Sequence, residues 1–363
     1  MRGEVDPQSS MFHYFSVESR IPADHPLRRV KRLAESALSA ISAELDGLYA
    51  RTGRPSIPPE RLLKAQLLIA FYSVRSDRLF CEQLDYNLLF RWFLDLDLES
   101  GGLDQSNFSR LRERLVETDI ARRFFDEVVR LARKDKLLSS DHFTVDGTLI
   151  DAWASFKSFK RKDDDEPPKP GDGTGMVDFK GEKRSNATHQ STTDPDAKLM
   201  RKGNGQPAKL SYGGHALMEN RSGLCVDLLI TDATLAEHQA ARQLLTRARR
   251  RKIHPKTLGA DKGYHVKDFV QHLREHKIKP HIARIDGRKT PGFDGRTTCT
   301  EGYKVSQRKR KRVEEIFGWL KTVGGMRKTR FIGQARTQIA AYLSAAAYNL
   351  LRIAKLQSAG SAA

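Results

Sequence analysis

Three acidic residues, far apart in the chain, stand in contexts that suit phosphodiester chemistry. Asp146 lies in HFTVDGTLIDAWAS (142–155), Asp261 in KTLGADKGYH (256–265) and Glu314 in RKRKRVEEIFGWLKTV (308–323). Carboxylate oxygens are the preferred ligands of hard divalent cations, and Mg2+ takes one or two of them while keeping waters and substrate phosphate. Two such ions about 3.5–4 Å apart stabilise both the attacking and the leaving oxygen of an in-line displacement. Carboxylates alone repel nucleic acid, so cations must flank them, and Arg310 and Lys321 flank Glu314. Taken by itself, the 308–323 stretch is equally a solvated basic helix with an ordinary ion-pair stripe.

The elements that would position these groups are legible in the pattern of apolar residues. Val313, Ile316, Phe317 and Leu320 recur at helical spacing and predict one amphipathic helix over 308–323. At about 100° per residue, Arg310, Glu314 and Lys321 share a second stripe beside the apolar one, and Glu315 points to solvent. Phe143 and Val145 share one face of a strand, with Asp146 on the other. Asp261 ends a short apolar run, and a glycine lies just beyond it.

Together these stretches resemble the DDE transposases of bacterial insertion sequences, in particular the group named after insertion sequences four and five. The signature of that group on its last catalytic helix is Tyr-x2-Arg-x3-Glu-x6-Lys. Arg310, Glu314 and Lys321 match it, while Gln307 stands at the tyrosine position. The resemblance implies that Asp146, Asp261 and Glu314 are catalytic and hold metal, with Asp146 bridging two ions, Asp261 holding one and Glu314 the other. Mg2+ is the expected cofactor, with Mn2+ able to substitute. Water attacks first in such enzymes and the freed 3′-hydroxyl second, without a covalent enzyme–DNA intermediate. Arg310, Lys321 and Lys262 are expected to hold phosphates near the scissile bond, although a lysine such as Lys262 is more often simply solvated. The implied function is a DNA transposase that binds the terminal inverted repeats of an insertion sequence and carries out metal-dependent cleavage and strand transfer.

Composition narrows the alternatives. At 363 residues and 39% hydrophobic content the chain can build two domains with sizeable cores, so a wholly disordered protein is excluded. A formal net charge of +19 attracts polyanions, either nucleic acid or an anionic membrane surface. No apolar run approaches the roughly 18 residues of a membrane span, and the opening MRGEVDPQSSMF lacks the layout of a signal peptide. Cys81, Cys225 and Cys299 are isolated and odd in number, which fits free thiols in a reducing compartment. The expectation is a cytoplasmic bacterial protein without membrane contact. Its expected partner is double-stranded DNA, both element ends and target, on which it assembles as a homodimer or higher oligomer.

Residues 1–138 read as an all-helical domain for end binding or dimerisation, with helices over 27–50, 58–74, 78–85 and 119–136 and an aromatic-rich piece at 87–96. Asp77 is expected to cap the 78–85 helix, and Asp104 the helix DQSNFSRLRERLVE. Ser106, Arg110, Arg112 and Arg114 on the latter suit a helix-turn-helix-like face entering a major groove, with Ser106, Arg110 and Arg114 as the DNA contacts. A plain bundle with solvated arginines fits the same residues. The second domain, 139–356, is expected to contain a strand at 143–150 and a long, largely disordered loop at 157–208. Strands at 209–219 and 224–231 follow, joined by an Asn220-Arg221-Ser222-Gly223 turn. Then come a helix (236–251), a strand (257–261), a helix (266–276), a strand (279–284), a polar loop (285–307), the Glu314 helix and an alanine-rich helix (335–356) that packs on the sheet. Residues 357–363 form a tail. This order predicts an α+β/α/β chain in which an all-helical N-terminal domain precedes an RNase H-like mixed-sheet catalytic domain. Open sheets of this kind bind ligands at the carboxyl ends of their strands.

Other residues have plainer readings. Asp151 serves a local turn, Asp227 lies on the third strand, and Glu237 opens a helix whose dipole accounts for it. Histidines 254, 265, 272, 276 and 281 have no cysteine partner at zinc spacing. Tyr264 and Trp153 are expected in the core, base stacking being the alternative. Two other functions compete: an RNase H-fold nuclease without strand transfer, and a catalytically inactive, transposase-derived DNA-binding protein.

Overall fold

The computed structural model describes residues 16–47, 56–162, 184–203 and 205–360. The N-terminal part is helical: α1 (Val17–Arg20), α2 (Pro26–Ala40), α3 (Ser42–Asp46), α4 (Pro59–Phe71), α5 (Asp77–Tyr86), α6 (Leu88–Phe93), α7 (Gln105–Glu117) and α8 (Ile120–Lys134). Pro26 and Pro59 occupy first-turn positions, where a missing N–H leaves no bond unmade. Asn87 and Asp104 cap α6 and α7 through their side chains. The expected 27–50 helix breaks at Ile41, and its last residues, 48–50, lie outside the described ones. Asp77 does not cap α5. Ser76 does, because Asp77 is drawn inward, where it accepts from Ser109 Oγ at 2.9 Å and pairs with Arg112 and Arg330.

The second part contains β1 (His142–Asp151), β2 (Phe159–Arg161), β3 (His189–Ser191), β4 (Lys198–Met200), β5 (Lys209–Glu219), β6 (Leu224–Asp232), α9 (Glu237–Arg250), β7 (Thr257–Ala260), α10 (Lys267–Glu275) and β8 (Lys279–Ile282). It continues with α11 (Gly295–Thr298), α12 (Glu301–Lys309), α13 (Val313–Thr322) and α14 (Gln334–Gly360). The main sheet runs β6-β5-β1-β7-β8, and β4 extends the β5 edge beyond β6. β5 is antiparallel to β1 and β6, whereas β7 is parallel to both β1 and β8. This is the mixed RNase H-like order expected from the sequence. Gly223, at φ 70°, takes the left-handed turn that closes the β5–β6 hairpin.

One hydrophobic core runs through both parts, and α14 is its axis. The sequence reading put this helix on the sheet alone; it packs on β6 and also against α2, α4 and α8. Its polar residues cover the free edge of β6. Gln338 Oε1 accepts from Ile230 N at 2.7 Å, and Asn349 bonds both Cys225 N (2.9 Å) and Cys225 O (2.7 Å). An exposed strand edge is a template for unwanted pairing, and here side-chain amides occupy it.

Four expectations need correction. The 157–208 segment, apart from residues 163–183 and 204, which lie outside the described residues, carries β2, β3 and β4. It is anchored because Tyr212 Oη donates to the buried Asp194 at 2.6 Å, and Asp196 Oδ2 accepts from Gln334 N at 3.0 Å at the start of α14. The 285–307 segment is not a polar loop either, since Asp294 and Thr300 cap α11 and α12. Tyr303 Oη donates to Ile282 O at 2.8 Å and Gln307 Nε2 to His281 O at 2.5 Å, so α12 is tied to β8. Finally, 308–323 is not one helix: Arg310–Arg312 form a 3-10 turn between α12 and α13. The tail shortens as well, because α14 continues to Gly360 and only residues 361–363 lie outside the described ones. No helix among the described residues is long and apolar enough to cross a membrane.

Candidate active site

The register of two strands brings the first two acids together. Thr144 on β1 pairs with Gly259 on β7, and the parallel pairing stops there. Continuing it by two residues sets Asp146 level with Asp261, at the carboxyl end of β7 where the strands part. Asp146 Oδ1 accepts from Gly147 N at 2.9 Å, and Asp261 Oδ1 accepts from Gly263 N at 2.8 Å, capping the 3-10 turn Lys262–Tyr264. Each carboxylate thus spends one oxygen on its own backbone and leaves the other free. Glu314 lies in the first turn of α13, solvent-facing, while Val313, Ile316, Phe317 and Leu320 bury the opposite side.

The groups act on one another electrostatically, although no three of these carboxylates have ligand atoms within 4.8 Å of one another among the described residues. Burial pushes the Asp146 carboxyl up to about 6, the charges of Asp261 and Glu314 push the same way, and Arg310 opposes them. Arg310 lies against β7, its Cβ 3.3 Å from where a Cβ on Gly259 would stand, and its Nε is buried without a hydrogen-bond partner. Lys321 Nζ donates to Thr148 Oγ1 at 2.5 Å, on the β1 face that carries Asp146. Burial lowers its pKa, and the charge of Lys202 adds to the effect. Lys262 is exposed beside Asp261.

Residues 15–114 match the family described as "Transposase domain (DUF772)", and residues 179–350 match the "Transposase DDE domain". The chain is a DDE transposase. Asp261 and Glu314 fall inside the second match, whereas Asp146 lies between the two matches. No curated relative matches the transposase. Among solved structures, a piggyBac transposase synaptic complex with hairpin DNA is similar at 12% identity and a TM-score of 0.44, covering 93% of this chain and 76% of that one. A Mos1 transposase paired-end complex with the left transposon end is similar at 12% identity and a TM-score of 0.21, covering 76% and 81%. Likenesses this distant carry none of the argument.

The transposase keeps its other expected DNA contacts on a separate element. Ser106, Arg110 and Arg114 are exposed on α7, which packs against α4 and α14. Arg112 does not join them: it turns inward to pair with Asp77, and its guanidinium lies 5.1 Å over the Phe331 ring. Trp153 is not in the core. It is 53% exposed just past β1, with Lys328 Nζ 5.3 Å over its ring, because the chain leaves the sheet at Asp151. Tyr264 is fully buried, as expected. Asp227 is buried and held by Arg251 at 2.8 Å, so it takes no part in the site. Asp151 ends β1 and pairs with Lys209 at 2.8 Å. His272, Glu275 and His276 on α10 do come close enough to share an ion, beside a cavity also lined by Arg249, His254 and Lys256.

Glu237 is the residue that sequence reasoning undervalued. It opens α9, and its carboxylate lies beside the glycines that follow the two aspartates: a Cβ on Gly147 would stand 2.8 Å from its Oε1, and one on Gly263 3.5 Å from its Oε2. Burial pushes its pKa up to about 7, with Asp261 and then Asp146 adding to the shift. The sequence signal was a glutamate in a first turn that has no side-chain cap, since Ala236 holds the cap position.

Proposed function

We propose that Asp146, Asp261 and Glu314 are the catalytic carboxylates of this transposase and that it belongs to the group named after insertion sequences four and five. The observation that carries this is the level placement of Asp146 and Asp261 at the end of the β1–β7 pairing, with the charge of Glu314 felt at Asp146. The donor set is all oxygen, and the glycines at 147 and 263 leave a cradle that a Cβ would fill, so the residues fit a hard divalent cation, with Mg2+ as the physiological ion and Mn2+ as a substitute. Such cations, when bound, stabilise the attacking and leaving oxygens of a displacement at phosphorus. The chain supplies the rest. Arg310, with an unsatisfied Nε, and Lys321, anchored on Thr148, offset the acids and hold the substrate phosphates, while Lys262 adds an exposed cation beside Asp261. The exposed face of α7, with Ser106, Arg110 and Arg114, reads the terminal inverted repeats, and two copies of the chain bring two ends together.

Neighbouring glutamates provide the test. Glu315 is half-exposed and lies near Arg312 (3.5 Å) and Arg352 (3.8 Å), away from the aspartates. On DNA carrying the sequences that flank the reading frame, Glu314→Gln should lose Mg2+-dependent cleavage and joining by on the order of a thousandfold or more, and still bind DNA. Glu315→Gln should cleave and join normally. Activity in both variants would remove Glu314 from the site, and cut but never joined products in the wild type would leave a nuclease.

A further inference from the structure

His272 and His276 stand one helical turn apart at the end of α10, so their side chains rise from the same face. Glu275 is the last residue of the helix and His276 its C-cap. One ligand atom from each of the three lies within 4.8 Å of the other two, and among the described residues no other three histidines, cysteines or acids come together in this way. The two imidazole rings lie 4.2 Å apart between centroids. The sequence reading sought a cysteine beside these histidines, and a glutamate stands there instead.

Two hydrogen bonds prepare the donors. His276 Nδ1 lies 2.8 Å from His272 O. A carbonyl can only accept, so Nδ1 carries the ring proton and Nε2 keeps its lone pair. Metal-ligating histidines are commonly oriented in this manner, one nitrogen on a backbone carbonyl and the other on the ion. Gln271 Nε2 donates to Glu275 Oε1 at 2.9 Å, which steadies that carboxylate and leaves Oε2 available. The carbonyls at the C-terminus of α10 add partial negative charge, which favours a cation there. Both histidines line a cavity of about 320 Å3 between the end of α9, the residues entering β7 and the end of α10. His254 lines it too, without coming into the set of three, so water has room on the ion. Arg249, Lys256 and Lys277 also line the cavity and oppose any ion held by charge alone.

We propose that His272, Glu275 and His276 form a binding site for a borderline transition-metal ion such as Zn2+. Two imidazoles and one carboxylate suit an ion of that class, whereas Mg2+ prefers oxygen ligands throughout. The site lies at the amino ends of β7 and β8, the far end of β7 from Asp261. It is therefore separate from the catalytic acids and independent of their assignment. A bound ion clips the last turn of α10 and raises the stability of the fold.

The test is Zn2+ binding by untagged, full-length protein, stripped with EDTA and then kept in excess Mg2+ to occupy the acidic site. Free Zn2+ is read with a fluorescent indicator, and unfolding temperature is recorded with and without Zn2+. Wild type and Asp261→Asn should each bind one Zn2+ per chain with the same affinity and unfold later with it. Losing even an outer partner of a metal ligand costs about 10–100-fold in affinity, so His276→Gln, which removes a ligand, should weaken binding by about a hundredfold or more. Glu275→Gln, at an exposed position that the fold tolerates, should weaken it by about tenfold. Absence of binding in the wild type overturns the proposal, as does wild-type affinity in either variant. Binding lost in Asp261→Asn also overturns it, because the ion then belongs to the catalytic acids. Should metal-free His276→Gln unfold earlier than wild type, Glu275→Gln decides the matter alone.

Discussion

Asp227 and Asp146 are aspartates on strands of one sheet, and they are treated in opposite ways. Asp227 is buried, bonded to Leu228 N at 2.9 Å, paired with Arg251 at 2.8 Å and faced by Arg247 at 3.9 Å. Asp146 has one backbone bond and no ion pair, and the charges felt most there are those of Asp261, Arg310 and Glu314. The chain has 64 lysines and arginines, so cations are not scarce. It spends them on the structural acid and withholds them from the other. Acids left bare in so basic a protein mark the place where a ligand must bring the positive charge.

The comparison can be broken most sharply by removing one acid from each place. Asp227→Asn should destabilise the fold by about 3 kcal/mol, because it removes the buried anion that faces Arg251 and Arg247 and leaves Arg251 only Asp126, and should leave Mn2+ affinity unchanged. Asp261→Asn should do the reverse, losing metal affinity without loss of stability in urea unfolding. Equal destabilisation by both would erase the distinction.

Acidity provides a second, smaller contrast. The Asp146 carboxyl rises from 3.8 to about 6 and the Glu237 carboxyl from 4.5 to about 7, so the folded protein holds protons that the unfolded chain has already released. Without metal, stability should therefore fall as pH climbs from about 4 through about 7. Saturating Mg2+ should flatten that decline. The difference between urea curves in EDTA and in Mg2+ isolates the site, since acids such as Asp227 contribute equally to both. A decline that persists unchanged in Mg2+ would place the titrating groups elsewhere.

The smallest effects belong to α7. Arg110→Ala and Arg114→Ala should each change stability by no more than about 0.5 kcal/mol and should each reduce the salt slope of DNA binding by about 0.9. Arg112→Ala, two residues from Arg110, should instead lower the unfolding midpoint, because it removes one of the two arginines paired with the buried Asp77. An unaltered salt slope in the first two would make α7 a scaffold.

What the sequence disclosed follows from the range of the forces involved. Alternation around Phe143 and Val145, the Asn220–Gly223 turn and the Asp104 cap are local, and each formed where expected. The Asp261 strand was legible because its burial leaves a short apolar run. The role of α14 was not, because Gln334, Gln338 and Asn349 look like ordinary surface residues until a strand edge is placed beside them. β2 to β4 are three residues each, too short for any periodicity. Glu237 escaped for a similar reason. A first-turn glutamate already has a local explanation, and only the crossing of α9 over Gly147 gives it another.

The position of α14 also constrains how the protein is made. Its N-terminal helices share their core with a helix that begins 200 residues after α8 ends. At roughly 5–20 residues per second of synthesis, they wait on the order of ten seconds or more with an apolar groove open. A nascent chain in that interval is a client for chaperones, and a chain stopped before Gln334 has no completed helical part with which to occupy element ends. Interrupted synthesis therefore yields degradable fragments in place of truncated competitors for the same DNA.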